Sequence, residues 1–342
     1  MRVAMGTVAP AASADSTNWS NWLALTFTYK NMVVAGTNSI TVRSVASCAA
    51  SSAPSFPMLI TDPTGADAFF VNGGSMSMSA APIQVNSNND NAAVVQGAGS
   101  KVTASVRAVG GSSGSFSPAA KSGGAAMANP YALVPPPSTS GLTTITQSAW
   151  NPDSSGNITL NPGYYPNGLY VLNGGNVTMN PGMYYIDNGN FWINTPGTVT
   201  GNGVTVYHNG TNSSAQLKSS YGLDVGICLC PTNGNYTFNP PTSGPYAGMS
   251  FFQGPNCTSE AFYDFWGSGQ LNVGIQYLAN STLRAWSVTN GVINCNELVA
   301  KDFKLTGSHE IYGNSQNGGF SKITWNATRA ANRPTTSVYL VE

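Results

Sequence analysis

The side chains best suited to acid–base chemistry in this chain are Glu260 and Asp264, which flank or lie within the aromatic-rich stretch AFYDFW. Glycoside hydrolysis needs two carboxylates facing each other about 5–9 Å apart, and this is the best pair on offer. The stretch reads as a loop, so two solvated loop carboxylates are the plainer expectation. Asp62 and Asp67 sit at a Pro-x-Gly turn, where Asp forms turns as readily as it does chemistry. His208 precedes Asn209-Gly210 and reads as a turn residue; His309, beside Glu310, reads the same way. No Gly-x-Ser-x-Gly elbow offers a serine to either histidine. An acidic cluster for Ca²⁺ with a basic partner, as a lyase would need, is not visible either. The expectation is a protein that is not an enzyme, with no catalytic residue, no cofactor and no metal site.

Five cysteines remain: Cys48, Cys228, Cys230, Cys257 and Cys295. Zinc needs about four grouped ligands, and only Cys228 and Cys230 are close in sequence. A Cys-x-Cys spacing on a strand puts both side chains on one side, a geometry usually too strained for the two to bridge. Each could instead reach a neighbouring strand, with Cys257 and Cys295 as partners in an oxidising compartment. Buried free thiols are the alternative, and Cys48 is the odd one, free or paired with another chain.

The elements that must carry these residues follow from composition. Charged residues make up 8% of the 342, where an average domain has about 25%. The 13 Lys and Arg balance the 13 Asp and Glu, so the formal net charge is zero. A neutral chain without a basic run has no electrostatic footprint for nucleic acid, and no apolar stretch is long enough to span a membrane as a helix. With 41% apolar residues the chain is not a core-poor disordered protein. The 38 Gly and 21 Pro, with helix formers scarce, point to strands and turns.

Repeats sharpen that to a β-solenoid. NITLNPGYY (157–165) recurs as NVTMNPGMYY (176–185), a step of about 20 residues containing an alternating strand, an Asn-Pro-Gly turn and a tyrosine-led strand. In each turn Pro presets the backbone and Gly supplies a positive φ. Residues 68–80 and 92–105 echo each other at about 24 residues. Coils of this kind bury their inward side chains only by stacking about 4.8 Å apart. Ile158, Leu160, Val177 and Met179 are expected inside, with the two Pro-Gly turns above one another. Asn157 with Asn176, and Asn161 with Asn180, could stack as amide ladders inside the solenoid. Each tyrosine pair (Tyr164 and Tyr165, Tyr184 and Tyr185) should place one ring in and one out. The outward aromatics would serve as core or subunit anchors, or stack on sugars. Residues 110–140, rich in Gly, Ser, Ala and Pro, read as a linker or extended crossing segment. Near the start, Leu23, Leu25, Phe27 and Tyr29 alternate with small polar residues as in a half-buried strand, behind a polar arm.

The run LNPGYYPNGLYVLNGGNVTMNPGMYYIDNGNFWINTPGTVTGNGVTVYHNG resembles the C-terminal region of TadG-like proteins of the Tad (tight adherence, Flp) pilus-assembly systems of bacteria. LITDPTGADAFFVNGGSMSM, IQVNSNNDNAAVV, GPYAGMSFFQ and the closing LVE fit the same order, so the likeness is collinear over roughly residues 40–342. The resemblance implies an exported envelope protein with no catalytic residues to carry over. It also implies a hydrophobic anchoring helix, which is absent from this chain, so the anchor is expected to have been removed or the protein released. The organisation expected is an N-terminal arm and strands (1–50), a first β-rich part with the linker (51–135) and a main solenoid (136–342). The function expected is an extracellular structural protein of a bacterial surface that self-assembles into a filament or layer. Leu23, Leu25, Phe27 and Tyr29 would supply the assembly strand. A carbohydrate-binding adhesin on surface polysaccharide, or a β-helix polysaccharide lyase or hydrolase, is the alternative.

Overall fold

The computed structural model describes residues 44–47, 56–79, 82–171, 174–210, 225–265, 269–287, 290–307, 320–327 and 337–340. Among them there is no helix, and so none long and apolar enough to cross a membrane. The chain divides into two units. In the smaller one, Ser44–Ser47 pairs antiparallel with Ser337–Leu340, Ser44 facing Leu340 and Ser47 facing Ser337. This is the short N-terminal β segment; Leu23, Leu25, Phe27 and Tyr29 lie outside the described residues.

The larger unit, Pro54–Thr335, is a three-faced parallel β-solenoid. Each short strand pairs with the third strand after it. Asn157–Leu160 lies on Asn176–Met179, Gly163–Tyr165 on Gly182–Ile186, and Leu169–Val171 on Phe191–Thr195. Ile158, Leu160, Val177 and Met179 point into a continuous core with Phe191, Val206, Phe251 and Trp325. The Pro-Gly turns do stack: a Cβ on Gly182 would meet the Pro162 ring at 2.6 Å. Only Gly182 needs a positive φ (138°); at Gly163 the constraint is the Thr143 carbonyl, 2.5 Å from where a Cβ would stand. The tyrosine pairs split as expected. Tyr165 and Tyr184 are fully buried and stacked inside at 6.0 Å, while Tyr164 and Tyr185 form an outer pair.

The chain does not wind from one end to the other. It starts midway, and residues 58–121 wind outward to one end, Met58 pairing with Ile83 and Arg107 with Lys121. Residues 125–142 then travel back along the outside, and winding resumes at the opposite end, where Thr144 pairs with Tyr164. From there the coils return to the middle. Gly291–Thr306 and Ser321–Ala327 come to lie on the first coil, with Leu298 on Met58, Phe303 on Phe69 and Ser321 on Gly74. The two halves expected around residue 135 thus make one stack.

Its length can be estimated from one file of outward residues. Thr144, Tyr164, Tyr185, Tyr207, Phe252, Tyr277, Val299, Leu59, Gln84, Arg107 and Lys121 follow one another in register. At about 4.8 Å per level this file is roughly 48 Å long. The 23 steps from Lys121 to Thr144 can reach about 76 Å when extended, so the crossing segment spans the file with slack.

Candidate functional site

The aromatic part of that file is a continuous stack of rings on the outer side of the coils. Tyr185–Tyr207, Tyr207–Phe252 and Phe252–Tyr277 ring centroids lie 4.8, 5.0 and 5.2 Å apart, the spacing of the strands that carry them. Outward rings on parallel strands would face water, yet Tyr207 and Phe252 are buried. The cover is the crossing segment, a strap whose Tyr131 and Val134 pack into the same cluster. Its polar groups are tied down along the way. Asn86 Nδ2 donates to the Met127 carbonyl (2.7 Å), Asn129 Nδ2 donates to the Tyr277 hydroxyl (3.0 Å), and the Tyr246 hydroxyl donates to the Pro135 carbonyl (3.1 Å). Burial pushes the phenol of Tyr207 above its usual range, with the neighbouring Tyr185 adding to it.

Where the strap passes Tyr277 a crevice opens, lined by Asn129, Tyr277, Asn280, Thr61, Asp62 and Lys301. Asp62 spends one oxygen on its own turn, accepting from the Thr64 and Gly65 amides at 2.9 and 2.7 Å. The other oxygen stands 3.8 Å from Lys301 Nζ. Nearby Asp302 is held above the ordinary carboxylate range, first by burial and then by the charge of Asp62, and it accepts from Thr282 Oγ1. The crevice therefore offers a phenol, two amides and the Lys301–Asp62 ion pair to a polar ligand.

The other acids weighed for chemistry are placed elsewhere. Glu260–Phe265 is a strand rather than a loop. It escapes the alternation rule because it is buried on both sides. Four residues of strand separate Glu260 from Asp264 by about 13 Å, too far for paired carboxylate chemistry. Glu260 is held by both arms of Arg284, at 2.9 and 3.1 Å, and Asp264 is fully buried. Asp67 adopts a positive φ of 56°, consistent with its turn role. His208 is not a turn residue. It ends the strand Val204–His208, fully buried, with Nε2 3.1 Å from the Gly189 carbonyl and Nδ1 3.2 Å from Cys257 Sγ. Burial lowers its pKa to about 4, so the imidazole is neutral. His309 and Glu310 lie outside the described residues.

Cys228, Cys230, Cys257 and Cys295 are all buried. Cys228 and Cys230 lie against each other, Sγ to Sγ 2.7 Å. Cys257 adjoins His208, while Cys295 accepts from Gln276 Nε2 (3.0 Å) and faces the Gly274 carbonyl. Cys48 lies outside the described residues. Among those residues, no group of three or more His, Cys, Asp or Glu is placed to hold a metal.

A different outer face carries the amides. Thr159, Thr178, Thr200, Thr237, Asn272, Asn294 and Asn326 stand in one register file. Asn326 donates to Asn294 (2.8 Å) and Asn294 to Asn272 (2.6 Å), and at the turns Asn180 donates to Asn161 (2.8 Å). The ladders thus run along the outside, and the core is left to apolar side chains. Asn176 accepts from Thr198 rather than from Asn157.

The two ends of the stack are its remaining reactive surfaces. At one, Ala149–Trp150 and Asn157–Leu160 pair on one side only, among the described residues. Half-covered Ile145 and Trp150 sit there against the core. At the other, Ser112–Ser113, Phe116 and Lys121 are likewise paired on one side, with Phe116 and Ala120 half-covered. Fold and surfaces together define a three-faced parallel β-solenoid with an external strap and, among the described residues, two open ends. No protein-family model, curated protein or solved structure matches the chain.

Proposed function

We propose that this chain is an extracellular structural protein of a bacterial surface, related to the TadG-like proteins of Tad pilus assembly, which self-associates end to end. The observation that carries this reading is the pair of ends. Among the described residues, each offers parallel strand edges paired on one side only, around half-covered apolar side chains, Ile145 and Trp150 at one and Phe116 and Ala120 at the other. Open strand edges are templates for further pairing. A contact between unlike ends is head-to-tail and grows a fibre unless it closes a ring. Zero net charge leaves little repulsion between copies. Sedimentation and electron microscopy of the full chain should find rods longer than one molecule, and Trp150→Lys should shorten them to single molecules. A wild-type protein that stays monomeric at micromolar concentration would sink the proposal.

A carbohydrate-binding adhesin is the second reading, favoured by the uncharged Thr and Asn file on the open face. Co-sedimentation with insoluble surface polysaccharide, weakened by Thr178→Lys, is its test. The enzymatic reading has less support, since Arg284 occupies Glu260, and Asp62 gives one oxygen to its own turn while the other faces Lys301. Depolymerisation that vanishes in Glu260→Gln with Asp264→Asn would restore it.

A further inference from the structure

We propose that Cys228 and Cys230 close an intrachain disulfide along their strand, between residues i and i+2. Both stand on Val225–Pro231, whose Ile227 and Leu229 enter the core, so the two sulfurs share the outer side. Their Sγ atoms lie 2.7 Å apart. Unbonded heavy atoms settle at about 3.5–4.0 Å, and a disulfide measures about 2.05 Å; the observed separation is closer to the bond than to the contact. Alternate Cα atoms of a strand are about 6.6 Å apart, just inside the upper limit of about 6.8 Å for bridged cysteines. A disulfide also needs Cβ atoms about 3.5–4.5 Å apart, closer than same-side neighbours of a regular strand stand, so closing the bond draws the strand in locally at Leu229.

The surroundings favour the oxidised pair. Cys228 lies between Trp192 and Phe262 on the adjoining strands, and Trp286 and Tyr170 complete the cluster. Burial raises the Cys228 pKa, and the charge of Asp264 adds to it while Cys230 offsets part. A thiolate is disfavoured there. A disulfide is neutral, carries no proton and needs no hydrogen-bond partner, so it suits an aromatic box. Neither remaining buried cysteine competes, because Cys257 adjoins His208 and Cys295 faces Gln276 and Gly274.

The oxidant is another disulfide, protein-borne or small. One thiolate of the pair attacks it, forming a mixed disulfide and expelling a thiolate. The second cysteine, losing its proton, then attacks the mixed disulfide and expels the other. Two thiols of this chain lose two electrons and two protons, and one disulfide of the oxidant becomes two thiols. Since both sulfurs are fully covered in the fold, this exchange precedes closure of the coil.

The test uses the full chain refolded with oxidised glutathione, then denatured and alkylated without reductant, so it is independent of the proposed function. With five cysteines present, three should be alkylated, and the unreduced mass should fall short of the reduced mass by two hydrogens. The peptide holding both residues should carry the bond internally. Cys228→Ser and Cys230→Ser should each show all four remaining thiols alkylated. Five alkylated thiols in the wild type, or a bond from either residue to Cys48, Cys257 or Cys295, would overturn the assignment.

Discussion

The strapped face and the amide face are built on the same coils, yet they are finished in opposite ways. On one, the outward file is Tyr185, Tyr207, Phe252 and Tyr277, and eighteen residues of chain lie over it (125–142). On the other, the file is Thr and Asn, which hydrogen-bond along the axis; Thr159, Thr178 and Thr200 are exposed. A parallel strand can satisfy its outer side with a second layer or with water. The side chains in the file decide which. Where rings stack every 5 Å their apolar area has to be covered, and where hydroxyls and amides stack it does not.

Substitutions can break this contrast. The largest effect is expected from Phe252→Ala, which removes a buried ring from between Tyr207, Tyr246 and Tyr277. Denaturant unfolding should show a loss of about 3–5 kcal/mol; a loss under about 1 kcal/mol would mean that the strap does not seal the file. Next comes acidification. His208, at the end of a strand of the covered face, has a pKa of about 4 against 6.5 when free. The unfolded chain therefore takes up the proton first. The stabilisation is complete above about pH 6.5 and is lost as pH falls towards about 4, on the order of 3 kcal/mol in all. His208→Gln should flatten that part of the stability–pH curve, and an unchanged slope would remove His208 from the account.

Smaller effects sharpen the comparison. Asn129→Ala should cost about 1 kcal/mol, as the Tyr277 hydroxyl loses its donor and the Tyr131 amide its acceptor. Thr178→Ala on the open face should stay within about 0.5 kcal/mol of wild type. If the Thr178 change matched the Phe252 change, the two faces would not differ in the way described.

Much of this was legible in the sequence where the signal is local. The period-2 pattern through Ile158, Leu160, Val177 and Met179 marks core positions, and the Asn-Pro-Gly turns give the coil step. The splitting of the tyrosine pairs follows from strand geometry alone. The seam between residues 291–327 and 58–79 has no such signal, because its register joins segments over 200 residues apart. The strap was visible only as a Gly- and Pro-rich stretch; that it covers an aromatic file depends on which way the rings face after folding. AFYDFW misled because a strand covered on both sides does not alternate, and the partner of Glu260, Arg284, belongs to the next coil. The sulfur contact was similarly hidden, since sequence spacing constrains the Cα separation but not the side-chain approach.

The point where winding begins and ends has a mechanical consequence. Residues 56 and 327 both belong to the middle of the stack, on coils that lie against each other. A pull between them does not stretch the solenoid from end to end. The load falls on the seam where Gly291–Thr306 and Ser321–Ala327 meet Met58–Ile60, Phe69–Asn72 and Gly74–Ser79. Under tension the stack should part at its waist into two shorter stacks, with the strap as the tether that stops them from separating. In a force trace this would read as one early rupture at the seam, before any coil unwinds.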